Sequence, residues 1–188
     1  MSLAELKKIK TSRVIGIDAS TSSVAFCVMD KGSPSRYGKI DLNGQDIYEK
    51  MLDAKRKISS LSQELTADYI AVEGAVFVQS PDAVIKLSYV YGVVISELMG
   101  NGSKVVTVAP STWQNFIGNK NPTKMEKDKL RFENPGYADS WYKNKMREMR
   151  KQRTCDFIKS KWNIEVSDFD VADAIAISHY AYERLTDR

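Results

Sequence analysis

Two apolar runs in this chain each end in a carboxylate, and that pattern narrows what the chain can fold into. Val14-Ile15-Gly16-Ile17 stops at Asp18, and Tyr69-Ile70-Ala71-Val72 stops at Glu73. Short continuous apolar runs of this kind read as buried strands. A carboxylate at the end of a buried strand costs several kcal/mol to desolvate unless something positive meets it. Asp170 and Asp173 lie three apart where a C-terminal helix begins, so they share one helix face. Two strand ends and an acidic helix start imply one shared site whose charge needs compensation. A hard divalent cation such as Mg²⁺ takes oxygen ligands from one or two carboxylates plus substrate phosphate, which directs the reading to phosphodiester chemistry. The small residues after Asp18 (Ala19-Ser20-Thr21-Ser22-Ser23) leave room for a phosphate backbone to approach.

The 188 residues fit a single domain, 1–188, with an insertion over about 119–145. No apolar run approaches the roughly 20 residues that a bilayer span needs, and the N-terminus lacks the apolar stretch of a secretion signal. Cys27 and Cys155 are far apart without metal-ligand spacing, so they read as reduced thiols of a cytoplasmic protein.

Hydrophobic period and turn residues predict strands over 13–18, 23–30 and 35–42, with a turn at 31–34. A helix over about 46–65 leads to a strand over 68–73, and a helix from Pro81 ends at Gly100. A strand over 104–108 and a helical segment from Pro110 follow. Residues 119–140 read as an irregular loop, 141–161 as helix, and 168–185 as a last helix capped by Ser167 or Asp168. Three antiparallel strands followed by two right-handed crossovers make an α/β protein with a five-stranded mixed sheet flanked by helices. That arrangement resembles the ribonuclease H-like fold, in which the first strand is central and the fourth lies beside it. Asp18 and Glu73 would then be neighbours.

Charge is distributed unevenly. Residues 119–153 hold 11 Lys/Arg against 5 acids, while the whole chain carries only +4. A basic block beside an acidic site suits a nuclease, since phosphate contacts supply most of the affinity for nucleic acid. The helix over 81–100 is apolar nearly all round, so one face should pack on the sheet and the other on a second subunit. Trp113, Tyr137, Trp141 and Tyr142 are available to stack on bases or to pack in a core. His179, the sole histidine, reads as a packing or capping residue of the final helix.

The chain resembles the RuvC family of Holliday junction resolvases along essentially its whole length. The matching stretches are 14–18, 70–73, 82–87 and 170–177, in that order. The resemblance implies a Mg²⁺-dependent endodeoxyribonuclease, with two ions per site and Mn²⁺ as a substitute, that nicks two strands of a four-way DNA junction as a homodimer. It makes Asp18, Glu73, Asp170 and Asp173 the catalytic metal ligands, with Asp18 bridging both ions. It puts Lys151 at the place of a basic residue and Lys86 in the long central helix, both against DNA. Phe77 is the candidate for an aromatic acting at the junction centre, displaced by one position from the usual place. Lys120, Lys143, Lys145, Arg147 and Arg150 would join Lys151 in gripping the arms. The extended basic insertion suits a phage or viral branch of the family.

Three other readings compete. The same site could act on flaps, forks or RNA–DNA hybrids, or the chain could bind junctions without cutting them. The stretch 15–23 also resembles the first phosphate loop of sugar kinases and actin-like ATPases, but those need two lobes and a second Gly-rich loop that this chain does not supply.

Overall fold

Tight chain reversals bring three strands together first. In the computed structural model, which describes residues 13–62, 64–74, 80–100 and 102–185, β1 (Arg13–Ala19) pairs antiparallel with β2 (Ser23–Asp30). Strand β2 pairs antiparallel with β3 (Ser33–Asp41). The second reversal is only Lys31 and Gly32, with φ of 50° and 82°, a pair of positive φ values that matches the twist of a two-residue hairpin. Ser33 and Pro34 therefore belong to the strand and not to the expected turn at 31–34. Proline is tolerated there because β3 lies at the sheet edge, opposite an irregularity at Val28/Met29.

Helix α1 (Ile47–Leu61) starts where the Asp46 carboxylate accepts hydrogen bonds from the Tyr48 and Glu49 N–H groups. It leads into β4 (Tyr69–Glu73), α2 (Pro81–Met99) and β5 (Lys104–Val108). Strand β4 runs parallel to β1 and β5 parallel to β4, so the five strands lie in the order β3-β2-β1-β4-β5. The mixed sheet, with its first strand central, is the one the element order predicts.

Helices α3 (Pro110–Phe116), α4 (Lys124–Glu133), α5 (Asp139–Trp162) and α6 (Phe169–Leu185) follow. Helix α4 corrects the expectation of an irregular loop over 119–140. Its start is a capping box, in which Thr123 and Glu126 satisfy each other's backbone N–H groups. Arg131 pairs with Asp139 at 2.7 Å and lies 4.9 Å from the Tyr142 ring centroid, so α4 and α5 form a hairpin.

Alternation along the strands divides the core. Ile15, Ile17, Val24 and Val72 face α1 and α2, where Val90, Val94 and Leu98 are buried. Val14, Ala25, Ala71 and Val108 face α3, α5 and α6. Helix α6 crosses β1 so closely that a Cβ on Gly16 would lie 2.4 Å from the Ala174 carbonyl oxygen and 2.5 Å from the Ser178 nitrogen. Glycine is required there by space alone, and the contact fixes how deep α6 sits. Trp113 and Tyr142 are core residues, and Trp141 stacks on Tyr137 at 4.2 Å. His179 is buried among Phe116, Phe157 and Trp162, as a packing residue would be. Among the described residues no helix is long and apolar enough to cross a membrane.

Candidate active site

Strand register assembles the acids. Ile17 pairs with Val72 across the parallel β1–β4 ladder, so Asp18 and Glu73 follow side by side at the strand ends. Both belong to the sheet face that carries Val14 and Ala71, the face covered by α6. The Gly16 contact seats α6 on β1 at Ala174 and Ser178, and the preceding turn of the helix brings in Asp170 and Asp173. Asp168 is the residue that caps α6: its carboxylate accepts from the N–H groups of Asp170 (2.9 Å) and Val171 (3.2 Å). All four predicted acids line one cleft of about 320 Å³. Its other wall is polar and basic, built from Gln114, Asn119, Arg147, Arg150, Lys151 and Thr154.

The acids crowd one another out of water. Desolvation, and then the charges of Glu73, Asp173 and Asp170, push the Asp18 carboxyl from 3.8 up to about 8. Desolvation likewise raises Asp173 to about 7 against the opposing pull of Lys151 and the hydroxyl of Thr154. Burial raises Glu73, and the Trp113 indole N–H, 2.8 Å from its Oε1, opposes that rise. Asp170 behaves differently. Desolvation pushes it up too, but the hydrogen bond from Lys39 and the charge of Lys151 outweigh burial and hold it below the usual range. Lys39 Nζ lies 2.6 Å from one Asp170 oxygen and Lys151 Nζ 3.3 Å from the other.

An all-oxygen donor set short of positive charge suits a hard divalent cation. As the side chains stand, however, no three such groups among the described residues converge to hold an ion. Both Asp170 oxygens are met by lysines, and one Glu73 oxygen by Trp113.

The expected DNA contacts divide into two sets. Arg147, Arg150 and Lys151 project from α5 into the cleft, and Arg150 donates to the Gln114 side-chain oxygen. Lys120, Lys143 and Lys145 are exposed outside the cleft, with Lys145 paired to Glu148 at 2.8 Å. Lys86 pairs with Asp82 at 2.6 Å in a groove of α1 and α2 beside Tyr48 and Tyr89, away from the acids. Phe77 lies outside the described residues. Sequence reasoning missed Lys39, Trp113 and Thr154 as partners of the acids. Thr154 was within reach, one helical turn after Lys151. Trp113 looked like any aromatic in a helix.

The sequence profile of the family described as "Crossover junction endodeoxyribonuclease RuvC" matches residues 14–130. No curated protein matches the chain significantly. Solved structures do. RuvC of T. thermophilus in complex with a Holliday junction substrate is similar at TM-score 0.64 and 14% identity, covering 92% of this chain and 96% of that one. The Thermus thermophilus RuvC structure gives 0.62 and 16%, with the same coverage. The yeast mitochondrial Holliday junction resolvase Ydc2 gives 0.55 and 14%, over 97% of this chain and 82% of that one. These likenesses establish the fold, and the profile match across both strand-end acids establishes the lineage: the chain belongs to the RuvC family of crossover junction endodeoxyribonucleases, within the ribonuclease H-like superfamily.

Proposed function

We propose that Asp18, Glu73, Asp170 and Asp173 hold two Mg²⁺ ions and that the chain resolves four-way DNA junctions by paired phosphodiester hydrolysis. One observation carries this reading: acids from β1, β4 and α6 line a single cleft whose facing wall is basic. Bound divalent ions supply charge neutralisation, an activated water and stabilisation of the leaving oxygen in an in-line displacement.

The chain's own groups do the rest. Arg147, Arg150 and Lys151 bind the phosphate backbone from the α5 wall. Ala19, Ser20 and Ser23 keep the opposite rim low enough for a strand to enter. Trp113 aims Glu73, and Thr154 aims Asp173. Beyond the cleft, the exposed bases of the 119–153 segment extend the grip to the junction arms.

A second copy completes the active unit. Tyr48 and Leu52 on α1 are 63% and 66% exposed, and Ile85 and Tyr89 on α2 are 51% and 39% exposed. These four form an apolar outer face on the helix layer opposite the cleft, where two copies could meet and present one site to each cut strand. The buried, unpaired thiols Cys27 and Cys155 fit the cytoplasm of a bacterium or of a phage-infected host.

The test is cleavage of a labelled four-way junction and a matched linear duplex, with Mg²⁺ or EDTA, by the wild type and Asp18→Asn. Paired nicks in the junction alone, abolished by EDTA or by the substitution, are expected. Binding without cutting under any divalent cation would replace this reading with a junction-binding protein. Preferential cutting of flaps or hybrids would keep the site and change the substrate.

A further inference from the structure

Asp18 has a counterpart of opposite charge in its own row of the sheet. Ala25 pairs with Asp18 on one side and with Lys39 on the other, so the three point to the same face. Lys39 stands on the edge strand β3 and reaches under the first turn of α6. There its ammonium lies 2.6 Å from Asp170 and 3.1 Å from Asp168. Asp168 is already fixed as the cap of α6, so it anchors the lysine. Lys151 approaches the other Asp170 oxygen at 3.3 Å. Among the described residues Asp170 is thus the acid of the cluster that is held in direct ion pairs.

We infer that Lys39 is a positioning residue that competes with divalent cation for Asp170. It holds the carboxylate aimed into the cleft while the cation is absent and must release it for the cation to bind. The inference rests on the metal-site reading above. An ammonium is a compact point charge on a flexible stem, so it can occupy an oxygen that a cation needs and then withdraw without moving the backbone. The short distance and the second anchor make Lys39 the stronger competitor of the two lysines. Lys151, at the longer distance, is left to face phosphate.

The competition has a readable consequence. Removing Lys39 strips a rival from Asp170, and pairs this accessible contribute up to about 1 kcal/mol. Lys39→Met should therefore bind Mn²⁺ about two- to fivefold more tightly than the wild type. Lys39→Arg keeps the charge and should return affinity to the wild-type value, whereas loss of a merely structural support would make Lys39→Met bind more weakly, not more tightly.

Mn²⁺ binding is measured on the full chain without DNA, by titration calorimetry or by loss of the free-ion paramagnetic signal, with Asp170→Asn and melting temperatures alongside. Tighter binding by Lys39→Met, reversed by Lys39→Arg, supports the inference. Equal or weaker binding by Lys39→Met, with wild-type binding intact and lost in Asp170→Asn, overturns it and leaves the metal site standing. No Mn²⁺ binding by the wild type sinks the metal-site reading, and the inference with it.

Discussion

Replacing Asp18 with asparagine should stabilise the metal-free protein, although the same change should abolish cleavage. The reason is the position of Asp18, buried beside three other acids and raised from 3.8 to about 8. In the unfolded chain the carboxyl is ionised at pH 7, whereas in the fold it is mostly protonated. A raised acid favours folding least at high pH: the penalty is absent below the unfolded value near 3.8, grows as pH rises from there to about 8, and is constant above. At roughly 1.4 kcal/mol per pH unit, the penalty at pH 7 amounts to at most about 4 kcal/mol. Asparagine keeps the shape and avoids ionisation, but its amide is also desolvated, so a gain of about 2–4 kcal/mol is expected. For a chain of this size that is a rise of about 5–15 °C in melting temperature.

Urea unfolding in EDTA at pH 4 and pH 7.5 measures it directly. The variant should exceed the wild type at pH 7.5, and the two should converge at pH 4. Mg²⁺ at about a thousand times its dissociation constant should cancel or reverse the difference, because binding then adds about 4.1 kcal/mol to the protein that binds it. A variant no more stable than wild type at pH 7.5, or a gap that persists at pH 4, would refute the electrostatic argument.

Other substitutions probe the supports of the site. Gly16→Ala should cost about 1–3 kcal/mol by pushing α6 off β1, since the added methyl meets backbone and not a flexible side chain; chemical unfolding and junction cleavage should both report it. Trp113→Phe removes the N–H that favours ionised Glu73, so the rising limb of the pH–rate profile should move to higher pH. An unmoved limb would deny Trp113 that role. The Lys143/Lys145/Lys151 triple alanine variant should weaken junction binding at all sequences and flatten the salt dependence by roughly 0.9 for each phosphate no longer neutralised; an unchanged slope would exclude these three lysines from phosphate contact. Leu52→Glu with Ile85→Glu should yield a monomer in sedimentation that nicks one strand at a time, and persistence of a dimer would place the subunit interface elsewhere.

The strands and the acids were legible because they break a local rule together. A carboxylate closing an apolar run conflicts with burial, and conflicts of that kind concentrate where function needs them. Asp18 and Glu73 announced themselves in this way, and the element order sufficed to make them neighbours. Helix α4 was hidden by Pro122 on one side and Pro135-Gly136 on the other, breakers that outweighed the Thr123/Glu126 capping box between them. Trp113 was hidden because an indole serving a carboxylate has the same pattern as one serving a core.

Lys39 was out of reach for a sharper reason. Its role depends on the register of β3, and a slip of one residue would turn it to the opposite face. With the reversal read as 31–34, that register stays open. With Lys31 and Gly32 alone in the turn, Ser33 pairs with Asp30, and past the Val28/Met29 irregularity Lys39 falls opposite Ala25, in the same row as Asp18. The two-residue hairpin and the one-residue shift at Val28/Met29 together decide whether a lysine reaches the acids at all. A composition-based turn assignment locates the reversal without fixing its length, and here the length carries the chemistry. Lengthening the loop by one residue after Gly32 should uncouple β3 from this register. It should then raise Mn²⁺ affinity as Lys39→Met does, with the sheet's other pairings intact, and unaltered affinity would show that Lys39 does not govern access to Asp170.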